Sequence, residues 1–171
     1  MTPLQLADTL AMVVNEGVVY RPHLLLRTTD PRTGQVISEP KPEVLHESPV
    51  SRQSFETVQQ ALRGVITKGT AGPVITTKAV DIAGKTGTAQ VVAGVETKSW
   101  HSWFAAYGPF EAASPDDRVV VVVMVEASDN WEWWAPKAAN LIFQGIFAHQ
   151  TYDEAIATLK PWYAPVVGRV D

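Results

Sequence analysis

The sequence predicts an α+β domain, an antiparallel sheet flanked by helices. Three β-rich stretches, around residues 79–92, 100–107 and 119–125, follow one another with short connections between them, and short connections favour antiparallel pairing. Stretches with apolar residues at helical spacing lie before and after these three, which sets helices against one sheet. The chain has 171 residues, 46% of them apolar and 19% charged. That is enough for one domain with its own core.

Thr2-Pro3-Leu4-Gln5 opens the first helix. Thr2 is the N-cap, Pro3 sits in the first turn and Gln5 closes a capping box. Leu6, Leu10, Val13 and Val14 share one face, and Gly17 is placed to end the helix. A helix starting at residue two reads as one cut from a longer chain. Residues 18–27 read as extended, interrupted by Pro22, and residues 28–49 as a proline-rich connector with a turn at Pro31-Arg32-Thr33-Gly34. Ser51 or Ser54 caps a second helix whose apolar face is Phe55, Val58, Leu62 and Val65, with Gly69 as its stop. Thr70-Ala71-Gly72-Pro73 follows as a turn of small residues.

A polar hairpin around residues 93–98 leads into the second strand, which Gly108-Pro109 bounds. Residues 111–118 are turn-like, and Asp116-Asp117-Arg118 reads as part of a solvated turn. Residues 119–125 are all apolar, six of them valine, which predicts a strand inside the layer with both faces buried. Pro136 opens a third helix to about Phe147, with Ile142, Phe143, Ile146 and Phe147 apolar. Thr151-Tyr152-Asp153-Glu154 is a second capping box, starting a short helix to Lys160 that Pro161 stops.

Composition removes several classes of function. A net charge of −4 offers no basic face for nucleic acid. The absence of cysteine excludes disulfides, thiolate catalysis and cysteine-based zinc sites. His23, His46 and His149 are scattered without ligand spacing, so no metal or other cofactor is expected. No apolar run approaches the roughly 20 residues of a membrane-spanning helix, and the chain itself is expected to be soluble.

The chemistry concentrates in Gly84-Lys85-Thr86-Gly87-Thr88-Ala89-Gln90. Here small, hydroxyl-bearing and cationic residues interrupt a β-rich run, and glycine inside a strand often marks close approach by a ligand or another backbone. In an extended segment Lys85 and Thr88 are expected to alternate faces with Thr86. Such an edge offers backbone N–H groups, two hydroxyls and an ammonium to a bound carboxylate.

Lys85-Thr86-Gly87-Thr88-Ala89-Gln90 resembles the third signature motif of the penicillin-binding transpeptidases. Three further segments agree, in the family's order. Thr2-Pro3-Leu4-Gln5-Leu6-Ala7, with Gly17-Val18 and Arg21-Pro22-His23, is similar to the helix preceding this motif in class B members. Gly69-Thr70-Ala71 resembles the turn after the next helix. His101-Ser102-Trp103-Phe104 with Tyr107-Gly108-Pro109 resembles the second strand of the family's sheet, with Ala106 where glycine is usual.

The resemblance implies part of a β-lactamase-like fold and a D,D-transpeptidase of the acyl-serine type, which cross-links peptidoglycan stem peptides and is acylated by β-lactams. It implies roles too. Lys85 would hold the substrate carboxylate and tune proton transfer, and the Thr86 and Thr88 hydroxyls would contact that carboxylate. The Thr88 backbone N–H would supply one oxyanion-hole donor, and Gly87 would keep the strand bare for a substrate backbone alongside. The parent would be anchored in the bacterial inner membrane with this domain in the periplasm.

The family's nucleophile lies in a Ser-x-x-Lys motif and its second motif is Ser-x-Asn, both upstream of Lys-Thr-Gly. Residues 1–171 therefore read as the C-terminal portion of a transpeptidase domain, expected to be inactive alone. Ser38-Glu39-Pro40-Lys41 fits the first pattern only within a proline-rich connector, and Ser128-Asp129-Asn130 fits the second but follows Lys-Thr-Gly. His101 is expected to pair across strands, and Trp131, Trp133 and Trp134 to cover the sheet end rather than form a binding rim. In the family the valine strand pairs with N-terminal strands. Without them its edge is open, and self-association through that edge or a helix-packing face is expected. The alternatives are a non-catalytic module that holds peptidoglycan peptides or β-lactams, an unrelated α+β domain, and a β-lactamase, which the first helix and residues 101–109 fit less well.

Overall fold

The computed structural model describes residues 1–91, 99–114, 117–129 and 133–159. The predicted hairpin at 93–98, Asp116, Trp131 and the stop at Lys160-Pro161 lie outside them. Helix α1 spans Pro3–Val14 and begins on the expected capping box, Gln5 N donating to Thr2 Oγ1 at 3.2 Å and Thr2 N to Gln5 Oε1 at 2.8 Å. Its end is compressed. Glu16 takes a left-handed φ of 56°, and Gly17 follows at φ 107° with the Phe55 ring pressed against it. A side chain at residue 17 would meet both obstacles.

The expected connector is more ordered than its prolines suggest. It holds β2 (Thr28–Thr29), β3 (Val36–Ser38) and β4 (Val44–Glu47), while β1 is limited to Val18–Tyr20. The predicted turn at 31–34 is the loop of the β2–β3 hairpin, where the Asp30 carboxylate accepts from Arg32 N at 2.7 Å and Thr33 N at 3.2 Å. Strand β4 returns antiparallel beside β1, and Arg21 grips Glu43 from one strand end to the other side at 2.7 Å. That guanidinium holds the Glu43 carboxyl below its usual range. Prolines 40 and 42 fall between β3 and β4, so they interrupt the pattern without breaking a ladder.

Helix α2 (Arg52–Thr67) starts on Ser51, whose hydroxyl accepts from Ser54 N. Its inward face keeps Phe55, Leu62 and Val65 of the expected four and departs at Val58. Phe55, Gln59 and Ile66 are buried, and Val58 is 43% exposed. Gln59 turns inward because its amide has a partner: Nε2 donates to Val13 O at the end of α1, at 2.8 Å.

The sheet has the order β5 (Ala83–Gln90), β6 (Ser99–Gly108), β7 (Val119–Asp129), antiparallel throughout. One face, through Ala83, Ala105 and Tyr107, packs on Leu10 and Val14 of α1. The other, through Phe104, Ala106 and Val121, packs on Ile66 of α2 and on Ala135, Ala139 and Phe143 of α3 (Trp134–Ala148). Each fully buried Phe contributes about 1.5–3 kcal/mol relative to an exposed one.

Among the described residues the valine strand has the covered faces and the open edge that its sequence predicts. Its odd members, Val119 to Val125, face α2 and α3, and Val120 and Val122 face α1, so both faces are covered. Of the three strands described, β6 is the inner one and β7 an edge. Valine density reports covered faces and does not report how many strands lie alongside.

Helix α3 opens at Trp134, two residues ahead of Pro136, because Ser102 of β6 caps it from outside, its Oγ accepting from Ala135 N at 3.2 Å. Ile142 and Ile146 are about two-fifths exposed, at 40% and 41%, and the buried face runs through Phe143 instead. Asn140, fully buried, accepts from Thr76 N and Thr77 N at 3.0 Å each, fixing the segment that leads into β5. Helix α4 (Tyr152–Leu159) carries the second capping box, in which Thr151 N donates to Glu154 Oε2 at 2.8 Å and lowers the pKa of that carboxyl.

Candidate active-site strand

Strand β5 is positioned from three sides. Arg63 of α2 donates to Ile82 O at 2.7 Å, pairs with Asp81 and lies 5.7 Å above the Phe110 ring. The turn after α2 is held tight by Ala71 N donating to Val65 O at 3.1 Å. A Cβ at Gly69 would sit 2.9 Å from Val65 Cα, so this turn requires glycine for space. It brings Thr70 Oγ1 to 3.4 Å from Thr86 Oγ1, which ties the Gly69-Thr70-Ala71 motif to the Lys-Thr-Gly strand.

From the third side comes β6. Gly84 lies opposite Ala106, and a Cβ on it would fall 2.6 Å from Ala106 Cβ and 2.7 Å from Ala105 O. Gly84 and Ala106 thus form a tightly packed pair in which the glycine supplies the space.

Beyond Gly84 the strand emerges from the core. Lys85, Gly87 and Thr88 are exposed and Thr86 is half-buried. Lys85 lies opposite Ala105, Thr86 opposite Phe104, Gly87 opposite Trp103 and Thr88 opposite Ser102. This register corrects the expected alternation. Thr86 and Thr88 share the face that α2 and α3 cover, and Lys85 alone of the three lies on the α1 face. A period of two requires it, since 86 and 88 have the same parity.

The Lys85 ammonium donates to Thr86 O at 2.7 Å. Gly87 has only the Trp103 Cβ near the place of an added methyl, at 3.2 Å. Among the described residues no strand lies on the outer side of β5, so alternate backbone N–H and C=O groups of this edge face outward. A ligand lying along the edge is within reach of side chains from both faces.

The remaining predicted positions fall elsewhere. His101 stands opposite Ala89, at an irregularity where β7 carries an extra residue between Val125 and Ser128. Trp133 and Trp134 keep 38% and 44% of their surface open, which is less than the expected cover, and the Lys137 ammonium sits 4.9 Å from the Trp134 ring centroid. Ser38 is exposed at the end of β3, with no helix to align it with Lys41, and Ser128 is on β7, across the sheet from β5. Sequence reasoning missed the contributions of Ser102 and Arg63, since neither stands out in a linear pattern.

A cavity of about 900 Å³ opens on the approach to β5 beside Lys68, Thr77, Lys78 and Asp81, and ends short of Lys85. The chemistry therefore points to the strand edge rather than to this hollow. Among the described residues no three His, Asp or Glu side chains are grouped to hold a metal ion, and no helix is long and apolar enough to cross a membrane.

Comparison with known proteins agrees along most of the chain. The family model of the penicillin binding protein transpeptidase domain matches residues 1–148. Penicillin-binding protein 2A of Bacillus subtilis is 32% identical over 132 residues, covering 71% of this chain and 18% of that protein. The peptidoglycan D,D-transpeptidase MrdA of Haemophilus influenzae is 29% identical over 141 residues, 73% of this chain and 20% of its own. The chain thus spans about a fifth of the length of these relatives.

Among solved structures, the D,D-transpeptidase domain of a peptidoglycan glycosyltransferase from Eggerthella lenta superposes with a TM-score of 0.63 at 27% identity, covering 85% of this chain and 32% of that one. Penicillin-binding protein A of Mycobacterium tuberculosis, as an imipenem acyl-enzyme complex, gives 0.64 at 26% identity, covering 88% and 31%. With the Lys-Thr-Gly strand on an open sheet edge, its turn and first helix in place, and a family match over residues 1–148, the chain belongs to the penicillin-binding protein transpeptidase domain family.

Proposed function

We propose that this chain supplies the substrate-holding strand of a peptidoglycan D,D-transpeptidase of the acyl-serine type, and that the nucleophile comes from an upstream Ser-x-x-Lys segment outside residues 1–171. The observation that carries this reading is the open edge of β5, where Lys85, Gly87 and Thr88 are exposed just beyond the buried Ala83 and Gly84. A stem peptide or β-lactam would lie along that edge by strand addition. Lys85 and the Thr86 and Thr88 hydroxyls would hold its carboxylate, because a carboxylate accepts charge-assisted bonds from such donors. The Thr88 backbone N–H would face the developing oxyanion, a contribution of roughly 3 kcal/mol in comparable sites. Gly87 leaves room for the incoming backbone. The parent would be membrane-anchored, with this domain in the periplasm.

A non-catalytic module holding the same ligands is the second reading. The connector around Ser38 and Lys41 and the far-side position of Ser128 favour it for the chain in isolation. Fluorescent penicillin applied to this chain and to the longer polypeptide, followed by denaturing gel and intact mass, separates the two. Covalent labelling of the longer polypeptide alone is expected. Labelling of residues 1–171 would place a nucleophilic serine among them and overturn the proposed division. Labelling of neither would favour the binding module.

A further inference from the structure

Thr70 and Thr86 come from different elements and meet through their hydroxyls. Thr70 is exposed in the turn after α2, Thr86 is half-buried on β5, and their Oγ1 atoms stand 3.4 Å apart. Neither hydroxyl has another bond among the described residues. The backbone on both sides holds Thr70 in place. Gly69 before it has no room for a Cβ beside Val65, and Ala71 after it is fully buried with its N–H on Val65 O. Thr86 is fixed in turn by its register opposite Phe104 and by the Lys85 ammonium on its carbonyl.

A hydroxyl has one proton to donate and two lone pairs, whereas an ionised carboxylate only accepts. In the free protein either threonine can donate to the other. Once a carboxylate takes the Thr86 proton, Thr86 can only accept from Thr70, and the direction of the pair is set. A separation of 3.4 Å is long for two hydroxyls, and contacts of this kind often tighten when the ligand arrives. A donor behind Thr86 also polarises its O–H and strengthens the bond made in front.

We propose that Thr70 is a positioning residue of the carboxylate site, its hydroxyl donating to Thr86 Oγ1 and so turning the single Thr86 proton toward the ligand. That role rests on the reading of β5 as the strand that holds the carboxylate, and it adds a hydroxyl from a separate element. Valine at 70 keeps the branched shape and removes the donor, while serine keeps the donor.

The test is the rate of labelling by fluorescent penicillin, measured on the longer polypeptide in Thr70→Val, Thr70→Ser, Thr86→Val and the Thr70→Val/Thr86→Val double variant. Thr70→Val should label about fivefold more slowly at an unchanged melting temperature, the scale of one hydrogen bond, and Thr70→Ser should stay within about twofold of wild type. The double variant should label no more slowly than Thr86→Val alone, because Thr70 acts through Thr86. Losses that multiply in the double variant would show Thr70 acting apart from Thr86 and overturn the proposal. Thr70→Ser as slow as Thr70→Val would assign the effect to the packing of the turn and overturn it as well. A Thr70→Val variant that labels at the wild-type rate while Thr86→Val is impaired would overturn the role of Thr70 and leave the reading of β5 standing. Normal labelling of Thr86→Val would remove the carboxylate-holding role of Thr86 itself, and that of Thr70 with it.

Discussion

Two glycines of β5, three residues apart, should respond in opposite ways to the same added methyl group. At Gly84 the new Cβ would stand 2.6 Å from Ala106 Cβ and 2.7 Å from Ala105 O. Carbon atoms rest about 3.5–4.0 Å apart, so the two strands would have to separate by roughly 1 Å. Overpacking of this kind costs about 1–3 kcal/mol, partly offset by about 0.4–1 kcal/mol because alanine stiffens the unfolded chain. The net loss is about 1–2 kcal/mol, or a fall in melting temperature of about 2–8 °C for a chain of this size.

At Gly87 the nearest atom is Trp103 Cβ at 3.2 Å, a side-chain carbon that needs to yield only a few tenths of an ångström. Strain and entropy then nearly cancel, and Gly87→Ala should melt within about 2 °C of the wild type. Its effect should appear in function. In the longer polypeptide the methyl group would stand where a ligand backbone approaches, lowering the rate of penicillin labelling about tenfold, equivalent to ~1.4 kcal/mol. Thermal melts by circular dichroism and labelling rates, measured side by side, test the pair. A Gly84→Ala variant as stable as wild type would refute the strand spacing. A Gly87→Ala variant that labels normally would refute the role given to the bare edge.

Three further outcomes are expected. Tyr107, pushed by burial from 10 up to about 12 against the opposing pull of Arg118 and Arg63, stays protonated in the fold after it would ionise in the unfolded chain. The contribution of Tyr107 to stability should therefore be constant below pH 10 and fall between about pH 10 and 12, by on the order of 2–3 kcal/mol in all. Denaturation midpoints compared with Tyr107→Phe, which should lose that slope, decide the point. Ser102→Ala removes the outside cap from Ala135 N and should cost about 1 kcal/mol without changing the fold, read as a lower urea midpoint with an unchanged slope. The open edge of β7 is proposed to drive self-association, and light scattering showing a clean monomer at every concentration would exclude it.

The sequence revealed most where local chemistry fixes local structure. Both capping boxes, the turn at 31–34 and the α+β layering follow from side chains that bond their own backbone or repeat with a fixed period. It revealed less where the answer depends on what lies across space. Gln59 was hidden because polar residues are normally placed outside, and only its bond to the Val13 carbonyl at the end of α1 explains its burial. The short strands between 28 and 47 were hidden because two-stranded ribbons with exposed faces carry no hydrophobic alternation. Within the site, the identity of the Lys-Thr-Gly strand was legible from its own residues. Its support by Arg63 and Thr70 was not, since those side chains reach it from other elements.

The two sheet edges differ in what the proposed ligand would meet. Both lie open among the described residues, and both present unpaired backbone groups. Along β7 those groups are flanked by valines already committed to the helices on either face. A newcomer there would meet an apolar, two-faced strand that selects only for another strand. Along β5 the flanking residues are Lys85, Thr86, Gly87 and Thr88, which add charge, hydroxyls and open space to the same backbone pattern. Lysine on an edge also disfavours indiscriminate strand pairing. On the proposed reading the polar edge would discriminate against other sheets and pair with a short peptide that ends in a carboxylate. Recognition of this kind depends on glycine at 87 and on Thr86 and Thr88 being on one face, so it should survive Thr88→Ser better than Thr88→Val, which keeps the shape and removes the hydroxyl.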